Sequence, residues 1–298
     1  MHVIINLNKP PGITSQAAVK KVQRLLKAKK AGHAGTLDPQ ATGVLLVCLN
    51  EATKVTRFLM DMQKQYKAKI KLGERTDTCD AEGKVIERKD ISYLSEADLF
   101  DAVLSFKGPI KQKPPMYSAI KIDGKTLYKL ARKGIEIERP ERSVHIYDIE
   151  ITSIDMPCFD VTISCSKGTY IRSLCDDIGQ KLGTGAHMAR LERTAVGEFH
   201  ISNSFSFEEL AVNEEMFYSI DRALLNLPEI RLGEVDCQKA KNGVKIVLES
   251  HNLHDGDFLR LKDPEGNLFA IGRADSNIIS IERLLNLQQI CSPCPKNK

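Results

Sequence analysis

The segment 32–43 combines one carboxylate with small residues, a histidine and a proline, and it reads Gly-His-Ala-Gly-Thr-Leu-Asp-Pro-Gln-Ala-Thr-Gly. Its carboxylate, Asp38, is the first acidic residue of the chain, and seven basic residues precede it. Basic surfaces attract polyanions such as nucleic acids, so a carboxylate placed beside such a surface indicates chemistry rather than binding. From spacing alone, Asp38-Pro39 can equally be a plain turn, and His33 a polar residue with its hydrogen bonds satisfied.

The residues around Asp38 favour a shaped loop on a rigid support. The glycines of the segment can adopt backbone angles closed to other residues, and Pro39 fixes the angle after Asp38. The apolar run 44–49 that follows predicts a buried strand. A loop that leads into a buried strand can hold one side chain accurately.

A second cluster could take part in the same chemistry. Tyr170 and Arg172 lie two residues apart where a predicted antiparallel hairpin, 144–154 with 159–165, gives way to a predicted helix, 170–182. Alone, these residue types are more typical of a core edge and of a surface ion pair. The cluster gains meaning only together with the segment around Asp38.

Other predicted elements would position the two clusters. A helix capped by Thr14 or Ser15 and extending to about Lys29 has a basic outer face. The alternation of apolar and basic residues over 66–72 predicts a half-buried strand with Tyr66 on its apolar face. Near the C-terminus, short apolar segments joined by turn residues predict a compact β-rich module.

The charge of the chain is unevenly distributed. The net charge is +4 over 298 residues, yet the segments 1–37, 54–75 and 107–133 together carry +19, which leaves −15 elsewhere. A single basic segment is commonly just a solvated surface, but three of them favour a nucleic-acid partner. A chain of this length can bury the core of one large domain or two.

Composition excludes several classes of protein. Hydrophobic residues make up 42% of the chain, and no apolar run approaches the roughly 20 residues of a membrane span. The N-terminus lacks a signal-peptide pattern, so we expect a soluble, cytoplasmic protein. Eight scattered cysteines predict no disulfide framework, and the tail pair Cys291 and Cys294 lacks the further ligands of a zinc site. We expect no metal site.

Several motifs in a fixed order resemble the TruB family of tRNA pseudouridine synthases over most of the chain. These motifs lie at 9–15 (KPPGITS), 32–43, 75–80 (RTDTCD), 115–121 (PMYSAIK), 165–174 (CSKGTYIRSL) and 183–187 (GTGAH). The resemblance implies an α+β fold, with a pseudouridine synthase core whose extended mixed, mainly antiparallel sheet is flanked by helices. A small C-terminal β-rich, PUA-like RNA-binding domain would follow. The implied domains are 1–228 and 229–290, with a tail at 291–298.

The resemblance also implies a role for each matched residue. Asp38 matches the catalytic aspartate, Arg172 the arginine that would keep it ionised and oriented, and Asp80 a carboxylate that orients this arginine. Tyr66 matches the tyrosine that stacks on the target base and is a candidate for proton transfer at its C5. The residues matched to substrate binding are His33, Tyr170, Leu191, Asp80, Lys9 and Pro10. Gln40 departs from the leucine usual after Asp-Pro, although it lies outside the catalytic side chains.

The implied activity is isomerisation of uridine 55 in the T-loop of tRNA, without a metal or an organic cofactor. The target base is stacked inside a folded loop, so it must be flipped out at a cost of a few kcal/mol, offset by aromatic stacking and phosphate contacts. The chain would bind the T-arm of tRNA as a monomer, with no obligate protein partner and no membrane attachment.

Three alternatives are weighed against this activity. A noncatalytic RNA-binding or tRNA-folding protein would show the same charge pattern, but it has little use for a carboxylate that faces RNA. A guide-RNA-dependent pseudouridine synthase subunit shares the catalytic loop, whereas His33 and the lack of a long lysine-rich tail match the stand-alone bacterial form. A metal-dependent nuclease would need a carboxylate or histidine cluster around Asp38.

Overall fold

A computed structural model describes residues 1–117, 121–122, 125–126, 130, 134–135, 137–211, 217–247 and 253–287. The predicted motif at 115–121 is therefore described only in part. Cys291, Cys294 and the rest of the predicted tail lie outside the described residues.

Helices and strands alternate irregularly along the chain. The α-helices are α1 Ser15–Leu25, α2 Thr56–Asp61, α3 Glu96–Leu104, α4 Ile171–Lys181, α5 Ile220–Ala223 and α6 Glu234–Lys241. The first strands are β1 Val3–Lys9, β2 Ala31–Ala34, β3 Thr42–Leu49, β4 Lys64–Leu72, β5 Glu74–Thr76, β6 Val85–Arg88, β7 Gly108–Gln112, β8 Lys121–Ile122, β9 Lys125–Thr126 and β10 Arg142–Asp155. The remaining strands are β11 Cys158–Cys165, β12 Ala186–Val196, β13 Phe199–His200, β14 Tyr218–Ser219, β15 Glu229–Arg231, β16 Ile246–Val247, β17 Phe258–Lys262, β18 Leu268–Asp275 and β19 Ile278–Leu284. Short 3-10 helices lie at Asn50–Val55, Ile201–Asn203 and Glu209–Ala211.

A large central sheet organises the molecule. Its strand order is β14-β1-β3-β12-β4-β11-β10-β7, with β2 paired to β3 and β13 to β12. The pair β12 with β3 is parallel, and the other described pairs of this sheet are antiparallel. The predicted mixed, mainly antiparallel sheet is thus confirmed. Because β12 lies between β3 and β4, it connects the end of the Asp38 loop with β4.

The strand β3 explains the apolar run at 44–49. Its alternate side chains enter two different cores: Leu45, Val47 and Leu49 belong to the core that also contains residues of α1, while Val44, Leu46 and Cys48 belong to the core on the opposite face. A strand covered on both faces is expected to be continuously apolar rather than alternating. The Asp38 loop therefore leads into one of the most rigid elements of the protein.

The helix α1 is shorter than its sequence predicts. Thr14 caps it as predicted, by accepting a hydrogen bond from Ala17 N, but it ends at Leu25 instead of near Lys29. Lys27 has a φ of 49°, in the left-handed region that a helix cannot continue through. The chain turns back there, and the side-chain amide of Gln23 donates to the carbonyls beyond the turn.

The other elements predicted near the site are confirmed. The strand β4 alternates buried and more exposed residues along its length, with Tyr66 on the buried face. The strands β10 and β11 form the predicted antiparallel hairpin. The helix α4 follows Tyr170 and is closed by Gly183, whose φ is 75°.

A second sheet, with strand order β15-β17-β18-β19-β16, follows the central sheet in sequence. Leu268, Ile271 and Leu285 pack against Phe58 and Leu59 of α2 in a shared hydrophobic cluster. The second sheet thus packs against α2. The assignment of the second sheet to a PUA-like domain from 229 to 290 stays a prediction.

No helix within the described ranges combines the length and apolar character required to cross a membrane.

Candidate active site

Asp38 and Arg172, 134 residues apart in the chain, form a two-point ion pair. Arg172 Nε lies 2.9 Å from Asp38 Oδ2, and Arg172 Nη2 donates to Asp38 Oδ1 at 3.2 Å. Asp38 lies on the loop between β2 and β3, and Arg172 in the first turn of α4. A planar guanidinium that contacts both oxygens of a carboxylate fixes the orientation of this carboxylate as well as its position.

Arg172 is itself held from two other directions. Its Nη2 donates to the carbonyl of Tyr117 at 2.7 Å, and its Nη1 lies 3.4 Å from Asp80 Oδ2. Asp80 is anchored in turn, because it accepts hydrogen bonds from Thr78 Oγ1 at 2.5 Å and from Glu82 N at 3.1 Å. The structure therefore brings Asp38, Arg172 and Asp80 into one connected group.

The Asp38 loop is fastened from behind by hydrogen bonds from the N-terminal segment. Ser15 Oγ donates to Leu37 O at 2.9 Å and accepts from Leu37 N at 2.8 Å. Lys9 is completely buried, and its Nζ donates to the carbonyls of Pro10, Ile13 and Pro39 at 2.8–3.0 Å. Burial lowers the pKa of Lys9 to about 8.

These contacts bear on the substrate-binding prediction for Lys9 and Pro10. The three donors of the Lys9 ammonium are all taken by carbonyls behind the loop, so contact with RNA would require these bonds to break. Pro10 is exposed and supplies one of the three carbonyls. The geometry therefore supports a role for Lys9 in holding the Asp38 loop in place.

The pKa of Asp38 is raised, contrary to the simple expectation that Arg172 holds it low. Burial raises this pKa most, and the charges of Asp80 and Glu82 raise it further, while Arg172 and Lys9 oppose them. The carboxylate of Asp38 is therefore firmly oriented but more basic than that of an ordinary aspartate.

Tyr66 lies on β4 with 8% of its surface exposed. Burial raises the pKa of its hydroxyl, the charge of Arg193 lowers it, and the charge of Asp38 raises it. The net upward shift keeps the Tyr66 hydroxyl protonated at neutral pH.

The remaining predicted residues surround this group. His33 lies on β2, and its Nδ1 is buried without a hydrogen-bond partner in the described residues. Burial and the charge of Arg193 lower the pKa of His33, so its ring is neutral at neutral pH. Tyr170 directly precedes α4, and its backbone exchanges two hydrogen bonds with the side chain of Gln112.

Asp38 opens onto a cleft of about 690 Å³. Of the predicted site residues, Asp38, Asp80 and Leu191 line this cleft, and its other lining residues are Pro11, Gln40, Ala41, Thr42, Lys67, Ala68, Lys69, Ala81, Glu82, Asp160, Met188, Ala189, Arg190 and Glu192. The basic side chains in this wall come from β4 and β12. A cleft of this size with mixed charge could receive a nucleotide and its phosphates.

Gln40, the residue that departs from the family pattern, also lines the cleft. Its Nε2 donates to Glu82 Oε1 at 3.2 Å. This bond joins the Asp38 loop to the turn that carries Asp80.

Sequence reasoning missed Arg193, which lies at the centre of this arrangement. It is 1% exposed, and its neighbours in β12 alternate between buried and more exposed positions. The available signal was that Arg193 follows buried Leu191 by two residues, which places both on the same face of a strand. Arginine is ordinarily an exposed residue, however, so its charge suggested a surface position.

The arrangement could support acid–base or nucleophilic chemistry at a flipped base. It offers an oriented carboxylate, a neighbouring phenol and a neutral imidazole beside an open cleft. Within the described residues, no group of three or more His, Cys, Asp or Glu side chains could hold a metal ion.

Two family models match adjoining parts of the chain. The model for the N-terminal domain of TruB family pseudouridylate synthase matches residues 23–171, and the model for the C-terminal domain of tRNA pseudouridylate synthase B matches residues 172–227.

Whole-chain relatives extend this similarity. The chain is 48% identical over 289 residues to the tRNA pseudouridine synthase B of Clostridium tetani, covering 96% of this chain and 100% of the relative. It is 46% identical over 252 residues to the protein of the same name from Clostridium kluyveri, covering 84% of this chain and 87% of that one. A crystal structure of a Cbf5-Nop10-Gar1 complex contains a chain that is 27% identical, with a TM-score of 0.73, covering 95% of this chain and 84% of that chain.

Proposed function

Because this chain belongs to the TruB family of pseudouridylate synthases, we propose that it isomerises uridine 55 in the T-loop of tRNA to pseudouridine, with Asp38 as the essential carboxylate. The observation that most supports this role is the two-point pair of Asp38 with buried Arg172 at the wall of an open cleft. A family relationship to tRNA pseudouridine synthases supplies the substrate class.

The reaction sets clear demands on the site. The bond between ribose C1′ and uracil N1 breaks, the freed base rotates, a bond forms between C1′ and C5, the proton on C5 leaves, and N1 takes up a proton, so that substrate and product are isomers. Both fragments must be retained and water excluded throughout. A carboxylate oriented by Arg172 is placed to act on the ribose or the base, and its raised pKa makes it a better base or nucleophile than an ordinary aspartate.

The neighbouring side chains fit the remaining tasks. Tyr66 would stack on the flipped base and is a candidate for moving the C5 proton. His33 is neutral, so it could lie against the base without attracting a phosphate into the pocket. Leu191 would form the apolar wall, Tyr170 would complete the pocket, and Asp80 would keep Arg172 in place.

The proposal extends to a stand-alone monomer that acts in the cytoplasm. The relative from Clostridium tetani is named a tRNA pseudouridine synthase and matches over 96% of this chain, whereas the Cbf5 structure is of a complex with other proteins. The cysteines in the described part of the chain are free thiols, as is usual in a reducing compartment. We assign the second sheet to RNA binding.

The decisive experiment incubates the purified full-length chain with an unmodified tRNA transcript, with and without EDTA, and maps pseudouridine nucleotide by nucleotide. A transcript with cytidine at position 55 serves as the control. We expect one pseudouridine, at position 55, in equal yield with and without chelator. A tRNA that is bound but unmodified would overturn the proposal in favour of a noncatalytic RNA-binding protein.

A further inference from the structure

Among the described residues, Arg193 is a buried cation without an acidic partner. Its side chain makes no ion pair there, and its hydrogen bonds go to the backbone carbonyls of Val44 (2.7 Å), Gly35 (3.0 Å) and Thr36 (3.5 Å). Burial of a charge that no carboxylate neutralises is costly, so such a residue needs an explanation beyond packing.

The sheet register places Arg193 where the parts of the site meet. It stands opposite Tyr66 in the antiparallel pair of β12 with β4, and beside Gly43 in the parallel pair of β12 with β3. Gly43 has a φ of 97°, and a Cβ there would lie 2.2 Å from Arg193 O, so only glycine permits this close approach. The guanidinium thereby reaches past β3 into the loop, two to three residues before Asp38.

On the basis of this geometry, we propose that Arg193 is a positioning residue for pseudouridine formation, because its guanidinium holds the backbone that carries Asp38 from a position directly opposite Tyr66 in the sheet. This inference rests on the proposed function. Arg193 touches neither the cleft nor, by our assignment, the substrate, so it acts through Tyr66 and the loop.

The charge of Arg193 also acts on its surroundings. It lowers the pKa of His33, Lys9 and Lys64, and it opposes the rise that burial causes in the pKa of Tyr66. An arginine neutralised by a carboxylate would have a weaker effect on all four. The lack of an acidic partner is thus consistent with a residue that tunes its neighbours as well as holding them.

The test is a double-substitution cycle of Arg193→Lys and Tyr66→Phe in the full-length protein, measured as single-turnover rate at saturating tRNA. Lysine keeps the charge but loses the fork that reaches several oxygens at once. We expect Arg193→Lys to lower the rate about 10- to 100-fold with the Kd for tRNA within about threefold. In the double variant the two losses should be clearly less than multiplicative, because Arg193 and Tyr66 lie directly opposite each other in the sheet and neighbouring residues that act together are not additive.

Asn6→Ser is the matched control, because Asn6 is also buried in the central sheet and also donates to backbone carbonyls, those of His200 and Asn203, but it belongs neither to the cleft wall nor to the Asp38 loop. We expect it to lower the melting temperature and leave the single-turnover rate unchanged. The inference would be overturned by a wild-type rate in Arg193→Lys or by fully multiplicative losses in the cycle. Neither result affects the proposed function as long as the wild-type protein itself forms pseudouridine. An inactive wild-type protein would instead remove the proposed function.

If Arg193→Lys does not fold, the guanidinium N–H signals of Arg193 in the folded protein provide a second measurement. Tyr66→Phe should shift these NMR signals, since it removes the hydroxyl of the residue opposite Arg193 and leaves the three carbonyls. Unchanged signals would overturn the inference without any change to Arg193 itself.

Discussion

Two aspartate–arginine pairs of similar build lie in different regions of the protein. In the proposed active site, Asp38, with 35% of its side chain exposed, pairs at 2.9 Å with Arg172, which is 7% exposed. Where the second sheet meets the rest of the molecule, Asp221, 33% exposed, pairs at 2.7 Å with Arg260, 6% exposed. Nevertheless the pKa of Asp38 is raised and the pKa of Asp221 is lowered.

The opposite shifts of the two pKa values come from the other charged groups around each aspartate. Burial raises both pKa values, but hydrogen bonds from Lys262 and Arg260 more than offset it at Asp221. At Asp38 the next charges are Asp80 and Glu82, which have the opposite effect.

The two pairs therefore differ in their roles: one holds two parts of the protein together, and the other belongs to the proposed chemistry. Asp221 has two cations within 3 Å, and Glu229 contacts the same two cations, so the group is well neutralised and ties the second sheet to the helix α5. The carboxylate of Asp38, at the edge of a cleft, is more basic than that of an ordinary aspartate. Its charged form therefore reduces stability at neutral pH, a cost that is common at active sites.

The largest contrast is expected for Asp38→Asn. We expect single-turnover pseudouridine formation to be abolished while the Kd for tRNA stays within several-fold, because phosphate contacts supply most of the affinity. Since the folded state prefers the protonated aspartate, the neutral asparagine should leave the melting temperature unchanged or higher. Turnover near wild type would remove Asp38 from its role, and a collapse of affinity together with stability would indicate misfolding.

Arg172→Lys should give the next largest effect. It preserves the net charge but cannot hold both oxygens of Asp38 and reach Tyr117 O at once, so we expect a loss of about 100-fold in single-turnover rate. Affinity should change little. A normal rate would mean that another residue orients Asp38.

Asp221→Asn, the counterpart of Asp38→Asn, should act on stability. Loss of the charged hydrogen bonds to Arg260 and Lys262 is expected to cost about 1–3 kcal/mol in the free energy of unfolding. Because the pKa of Asp221 is lowered in the folded protein, its stabilisation should be present at neutral pH and disappear as pH falls through that pKa. Urea denaturation at neutral and acidic pH measures this, and the single-turnover rate of the folded variant should equal that of the wild type.

Glu82→Gln should have the smallest effect. Glutamine can still accept the hydrogen bond from Gln40, but it removes a charge that raises the pKa of Asp38. If deprotonated Asp38 is required, the acidic limb of the rate profile should move to lower pH, with the rate on the neutral plateau unchanged. An unmoved limb would show that some other group controls it.

Local sequence patterns predicted most elements that carry the site. The glycines and proline near Asp38, the apolar run of β3, the alternation in β4 and the helix after Tyr170 all depend on turn chemistry and side-chain periodicity, which act over a few residues. The predicted end of α1 was wrong because such local patterns were lacking there. Nothing in the sequence near Lys27 indicates a left-handed backbone, and the contacts of the turn that follows set this conformation.

Resemblance to a family predicted Asp38, Arg172 and Tyr66, but only the tertiary structure decided how they are held. It paired residues 134 positions apart, buried Lys9 behind the loop, and placed Arg193 between Tyr66 and the backbone before Asp38. It also reversed the expected direction of the pKa shift of Asp38. Burial and electrostatic fields depend on which distant segments pack together, and no local pattern around Asp38 contains that information.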